Sequence, residues 1–271
     1  MLDEELVWSA GYGHANPADG TPADADTIYS ICSISKLFTA IGVMQLSEQG
    51  KLRLSDAVAD HLPWFEALQP HLPDAAPITI EMLLTHSAGL PREAADFAYW
   101  SPPDFLFPTT AELIEALGGQ TTLYEPATYW QYSNLGLSLA GEIIAAVSGE
   151  SYTEYVTAHI IEPLGLADTR PCFPTELHGT QMAVGYGGRG RDGSRPELPP
   201  FDGQGVCAAM GFTSTVRDLA RLAAWQHRTL SGKDDSILQR ATVSTLADPT
   251  FVAGLRVFTQ VNPSLCCSSR T

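Results

Sequence analysis

The sequence predicts an α/β (α+β) chain in which a mainly helical lobe is set between the two parts of a sheet-containing lobe. Three observations lead there. Helical periodicity with start and stop signals recurs along most of the chain, strand signals are few and lie towards the ends, and residues 174–203 are rich in glycine and proline. The sheet-containing lobe is then 1–52 with 204–271, and the helical lobe is 53–203. With 271 residues, 44% of them hydrophobic, the chain is long enough to bury a sizeable core.

Residues 5–13 read as a strand ending at Gly11 and Gly13, and residues 15–26 as a loop of Pro, Asp and Gly. A strong helix follows over about 33–49; Leu37, Phe38, Ile41, Met44 and Leu46 make it apolar on most sides, and Gly50 stops it. Residues 52–77 hold short helical pieces broken by prolines, 78–84 a short helix, and 92–108 a polar, aromatic, proline-rich stretch. Helices are expected over 110–117, over 134–148 with small residues on one face and Gly149 at its end, and over 152–161. Residues 215–230 form another, with Leu219, Leu222, Ala223 and Trp225 inward, and 236–246 a weaker one.

A net charge of −16 with only three lysines (Lys36, Lys51 and Lys233) repels phosphate backbones and excludes nucleic acid as a partner; the acidity reads as a solubility feature. The five cysteines are irregularly spaced and describe neither a disulfide framework nor a zinc site, and Cys32 reads as a small core residue. The acidic start Met1-Leu2-Asp3-Glu4-Glu5 has no basic segment before an apolar one, and no apolar run reaches the roughly 20 residues that span a bilayer. The expectation is a soluble, cytoplasmic protein with no membrane partner. Gly185-Tyr186-Gly187-Gly188-Arg189-Gly190 reads as a flexible loop, because no Gly-Lys-Ser/Thr follows; no His-Glu-x-x-His is present, and no metal or organic cofactor is expected.

Two clusters carry chemistry. Ser33 and Lys36 stand three apart at a helix start, so their side chains share a face. A serine hydroxyl becomes a nucleophile when a base takes its proton, and a lysine can be that base if burial lowers its affinity for protons. The helix start supplies N–H groups and positive potential for a developing oxyanion. Alone, the pair also reads as a capping serine and a surface lysine. Tyr132-Ser133-Asn134 precedes another helix, where Ser or Asn is ordinarily an N-cap. Beside Ser33 and Lys36, the Tyr132 phenol can exchange protons, and the Asn134 amide can hold the lysine or a substrate carbonyl. His86 reads as a structural hydrogen-bonding residue, and Tyr124, Trp130 and Phe201 as packing aromatics.

Taken together, Ser33-Ile34-Ser35-Lys36 at the head of a buried helix and Tyr132-Ser133-Asn134 about a hundred residues on resemble the β-lactamase and penicillin-binding protein superfamily, in its class C β-lactamase, DD-peptidase and esterase branch. Leu83-Leu84-Thr85-His86-Ser87-Ala88-Gly89-Leu90, Pro163-Leu164-Gly165-Leu166-Ala167-Asp168-Thr169 and Ser214-Thr215-Val216-Arg217-Asp218-Leu219-Ala220 are similar to further family segments in the same order. The resemblance implies a β-lactamase/transpeptidase-like fold with an antiparallel sheet flanked by helices. It also implies a serine hydrolase that forms an acyl-enzyme on an ester, β-lactam or D-alanyl peptide, with Ser33, Lys36 and Tyr132 catalytic and Asn134 binding substrate. A carboxylesterase or β-lactamase-like activity is the favoured form.

The resemblance further implies a helix and a strand ahead of residue 5, and a Lys-Thr-Gly or His-x-Gly triplet on a strand after the last helix; the sequence has neither. The expectation is an incomplete sheet, a chain truncated at both ends and weak activity, since losing one oxyanion donor costs about 3–4 kcal/mol. The alternative is a non-catalytic protein of the same fold that binds ligand or partner without turnover.

Overall fold

Phe38, Ile41, Val43, Met44 and Leu46 are all buried, so the helix that carries them sits inside the molecule. In the computed structural model, which describes residues 5–94, 97–100 and 105–248, this is α1 (Ser35–Glu48), entered through a 3-10 turn at Cys32–Ile34. Gly50 ends it with φ 68°, a left-handed conformation that a side chain would strain. Next come α2 (Val58–His61), α3 (Ile80–Leu84), α4 (Thr110–Leu117) and α5 (Asn134–Ser148). After α6 (Tyr152–Val156), which runs into a π-helical turn at Thr157–Ile161, follow α7 (Cys207–Met210), α8 (Val216–Leu230) and α9 (Arg240–Ala247). Side-chain oxygens of Thr79, Thr109, Ser133, Ser151 and Thr215 cap α3, α4, α5, α6 and α8, each accepting an N–H that its helix leaves unpaired.

The fold mixes helix with small sheets, as the sequence predicts. Among the described residues β1 (His14–Asn16) pairs with β2 (Thr21–Pro22), β3 (Tyr29–Ser30) leads into the 3-10 turn, β4 (Gly185–Tyr186) pairs with β5 (Glu197–Leu198), and β6 (Thr213–Ser214) pairs with β3; all three pairs are antiparallel. Tyr29 lies opposite Ser214 and Ser30 opposite Thr213, which ties the approach to α1 to the segment after α7.

Several expectations need correction. Residues 6–13 form no strand: no described segment pairs with 6–12, and Val7, Trp8 and Tyr12 stand exposed, so the strand starts only at His14. Strands are not confined to the ends, since the expected flexible loop at 185–190 begins with β4, held by cross-strand bonds to β5. Cys32 is exposed rather than in the core, because its φ of 44° turns it out of the entry to α1. On α8, Ala223 is exposed and Leu219 only half-buried; the buried stripe is Asp218, Leu222, Trp225 and Thr229, spaced four, three and four. Residues 249–271, the end of the lobe expected over 204–271, lie outside the described residues.

Close approach of α1, α5 and α7 sets the core. A Cβ on Gly42 would lie 2.9 Å from Ile144 Cδ1, and one on Gly141 would lie 2.5 Å from Ala208 Cβ, so glycine is what permits these contacts. Phe38 stacks on Phe212 with ring centroids 4.7 Å apart, and burying such a side chain contributes about 1.5–3 kcal/mol. No helix among the described residues is long and apolar enough to cross a membrane.

Candidate active site

The turn that carries Ser33 is fixed from below by Ser35. The Ser35 hydroxyl is fully buried; it donates to the Cys32 carbonyl at 2.5 Å and accepts from the Phe212 N–H at 3.0 Å. The Ile31 N–H donates in turn to the Phe212 carbonyl at 3.0 Å. These bonds leave Ser33 exposed at the mouth of α1, while Lys36, one turn on, points along the same face. Lys36 Nζ lies 3.3 Å from Ser33 Oγ and donates at 2.8 Å to both Asn134 Oδ1 and the Ala209 carbonyl.

Tyr132 and Asn134 reach the same place through the segment after α3. His86 holds φ 57°, and its Nδ1 accepts from the Ser133 N–H at 3.2 Å. The Ser133 hydroxyl donates to the Pro91 carbonyl at 2.7 Å while accepting from the Gly136 N–H at 2.9 Å, and the Arg92 carbonyl accepts from the Asn134 N–H at 2.8 Å. The start of α5 is therefore cradled by residues 86–92. Tyr132 packs its ring on His86 (centroids 4.6 Å apart) and donates its hydroxyl to Ser33 Oγ at 2.7 Å. Lys36 Nζ also sits 4.7 Å from the centre of the Tyr132 ring. Lys36 and Tyr132 thus meet at the Ser33 hydroxyl, with Asn134 on Lys36 Nζ, although 99 positions separate Ser33 from Tyr132.

Electrostatics suit proton transfer. Burial is the largest influence on Lys36 and lowers its pKa from 10.5 to about 8, with Glu93 and Cys32 raising it and Arg92 lowering it. His86 is driven down from 6.5 to about 4, first by burial and then by the Lys36 charge, so it is neutral near pH 7 and accepts the Ser133 N–H.

Three groups here escaped the sequence reading: Ser35, the Ala209 carbonyl and Glu93. Glu93 is 4% exposed and accepts from Asn134 Nδ2 at 2.6 Å, Tyr99 Oη at 2.5 Å and Trp100 Nε1 at 3.1 Å. Its only signal in the sequence is an acidic residue in an aromatic-rich stretch. Tyr124 packs at a tilt against Tyr129, and Phe201 packs with Phe105, Phe107 and Phe173. A groove of about 1020 Å³ lined by residues such as Glu150, Thr157, Ile161 and Pro171 shares no residue with the Ser33 cluster. Among the described residues no group of three or more His, Cys, Asp or Glu is placed to hold a metal ion.

Comparison with known proteins identifies the family and the fold. A family model described as Beta-lactamase matches residues 1–259. Protein flp of Staphylococcus aureus (strain MW2) is 31% identical over 201 residues, which cover 73% of this chain and 39% of that protein, so the chain spans well under half the length of this curated relative. The octameric penicillin-binding protein homologue from Pyrococcus abyssi superposes with a TM-score of 0.75 at 32% identity, covering 90% of this chain and 53% of the other. EstCE1, described as a hydrolase with promiscuous acyltransferase activity, gives a TM-score of 0.71 at 25% identity, covering 92% of this chain and 70% of the other. With nearly its whole length matched and its fold shared, the chain belongs to the beta-lactamase family.

Proposed function

We propose that this chain is a serine hydrolase that forms an acyl-enzyme on Ser33 with an ester or amide carbonyl. One observation carries the reading: Ser33 Oγ lies within 3.3 Å of Lys36 Nζ and 2.7 Å of the Tyr132 hydroxyl. In the proposed cycle neutral Lys36 takes the Ser33 proton as Oγ attacks the carbonyl carbon. The Ser33 N–H, at the first turn of the site, is the candidate donor to the oxyanion. Tyr132 passes a proton to the leaving group as the tetrahedral intermediate collapses, and water then releases the acyl group. Asn134 holds Lys36 and is a candidate contact for the substrate. Ser33 and Lys36 come from 1–52, Tyr132 and Asn134 from 53–203, and the Ala209 carbonyl from 204–271, which supports a site between the two proposed lobes.

The substrate class rests on similarity alone. The description of EstCE1 as a hydrolase and that of the Pyrococcus abyssi protein as a penicillin-binding protein homologue favour ester or β-lactam chemistry. The test is intact-protein mass after exposure to a penicillin and to a fluorophosphonate, beside Ser33→Ala. A Ser33-dependent adduct is expected. A folded sample that gains no mass from either reagent refutes the reading in favour of a non-catalytic member of the fold. Chromogenic esters and β-lactams then separate the substrate classes.

A further inference from the structure

The group that holds Lys36 is itself held. Asn134 gives its amide oxygen to Lys36 Nζ at 2.8 Å and its amide nitrogen to Glu93 Oε1 at 2.6 Å. An ionised carboxylate accepts and cannot donate, so an amide partner has to present its N–H. Every described partner of Glu93 is a donor: Asn134, Tyr99, Trp100 and, more weakly, Arg92 Nε at 3.4 Å. With its nitrogen committed to Glu93, the Asn134 amide has only its oxygen to turn towards the lysine. We infer that Glu93 is a positioning residue of the Ser33 site, its carboxylate fixing the Asn134 amide with the oxygen towards Lys36 and placing a buried negative charge behind that lysine.

This rests on the hydrolase reading, because the lysine matters as a base only if Ser33 is acylated. The groups around Lys36 are few. From its own turn come Ser33 and Cys32; from the start of α5, Tyr132 and Asn134; from α7, the Ala209 carbonyl; and from the segment after α3, His86, Arg92 and Glu93. Among these the Arg92 guanidinium and the Glu93 carboxylate act on the ammonium in opposite directions. Glu93 is buried, so water screens it little, whereas the Arg92 side chain is 52% exposed. A purely structural Glu93, tying Tyr99 and Trp100 to α5, would leave the charge of Lys36 unaffected by its replacement.

The chain has three lysines, so protein labelled with ¹³C at lysine Cε gives three resonances, and Lys36→Met assigns the one at the site. Glu93→Gln keeps the shape and an oxygen for Asn134 while removing the charge. The Lys36 titration midpoint is expected to fall by about 0.5–1 pH unit, and the acid limb of Ser33 labelling by the fluorophosphonate to move with it. An unchanged or higher midpoint in folded Glu93→Gln overturns the inference. If Glu93→Gln does not fold, Glu93→Asp keeps the charge but draws it back from the Asn134 amide and is expected to lower the midpoint by a smaller step; no fall there overturns it as well. Should wild-type Ser33 take no label at all, the hydrolase reading fails, while the lysine titration still decides the part played by Glu93.

Discussion

Raising the pH from 6 to 9 is the perturbation that bears most directly on Lys36. With its proton lost near pH 8, the neutral fraction is about 1% at pH 6, about 10% at pH 7 and about 90% at pH 9. If neutral Lys36 takes the Ser33 proton, the second-order rate of fluorophosphonate labelling climbs about tenfold per pH unit up to about 8 and then levels. A lysine titrating at its ordinary 10.5 would instead keep the rate climbing past pH 10, with about 300-fold less neutral amine at pH 7. The assay is adduct mass against time across the pH range, corrected for reagent hydrolysis. A flat profile from pH 6 to 9, or a midpoint at 10 or above, refutes Lys36 as the base. The same burial has a stability side. Between about 8 and 10.5 the unfolded chain holds the proton that the native chain has released, so stability rises with pH across that window; below it the native state carries the cost of a buried ammonium, about 3 kcal/mol. Urea unfolding of wild type and Lys36→Met at pH 7 and pH 10 reads this directly: the wild type gains on the variant as pH rises, and equal differences at both pH values count against the shift.

Tyr132→Phe removes the hydroxyl 2.7 Å from Ser33 Oγ but keeps the ring on His86, so labelling is expected to slow about 10²–10⁴-fold with little change in melting temperature; a rate within threefold of wild type would remove Tyr132 from the mechanism. Gly141→Ala places a methyl 2.5 Å from Ala208 Cβ, and the overpacking, about 1–3 kcal/mol, is expected to outweigh the roughly 1 kcal/mol gained in helix propensity, so the melting temperature should fall, whereas a rise would mean that α5 and α7 separate freely. His86 has its native pKa depressed to about 4, so the unfolded chain takes up a proton below 6.5 that the native chain refuses. Wild type should therefore lose up to about 3 kcal/mol from this group as pH falls from 6.5 to 4, and His86→Leu should lack that part of the acid slope in urea unfolding; identical slopes would show that His86 titrates normally.

Helix boundaries were legible where both ends are set by neighbouring residues. The span 134–148 needs only Ser133 as its cap and Gly149 at φ 79° as its stop, and both lie beside the helix in the chain. What sequence could not supply is pairing at a distance. Residues 5–13 carry an apolar, aromatic run that ends at glycines, yet a strand exists only where a partner offers its backbone, and none is described for 6–12. Conversely β4 lies in a glycine-rich run that looks structureless and is ordered by its bonds to β5 eleven residues on. The candidate site divides the same way. The nearness of Ser33 to Lys36 follows from helical spacing, whereas that of Tyr132 and Asn134 to them was readable only through family resemblance. Glu93 and the Ala209 carbonyl had no such route. One is a common acidic residue 41 positions from its partner, the other a backbone atom that no residue type encodes.

The placement of Ser33 and Lys36 follows from how the core is built. Both α1 and α5 begin at the site, and a helix start carries unpaired N–H groups and about half a positive charge. Two such ends converging on one point disfavour an ammonium and favour an oxyanion, which is what the proposed acylation of Ser33 would require. They can converge because Gly42 and Gly141 let α1, α5 and α7 pack closely, and that packing also withdraws Lys36 from water and brings the Ala209 carbonyl to its Nζ. The interactions that stabilise the fold are therefore the ones that lower the pKa of the lysine. A substitution that spreads these helices, such as Gly141→Ala, should raise the Lys36 midpoint towards 10.5 even if the protein stays folded, because it readmits water to the amine.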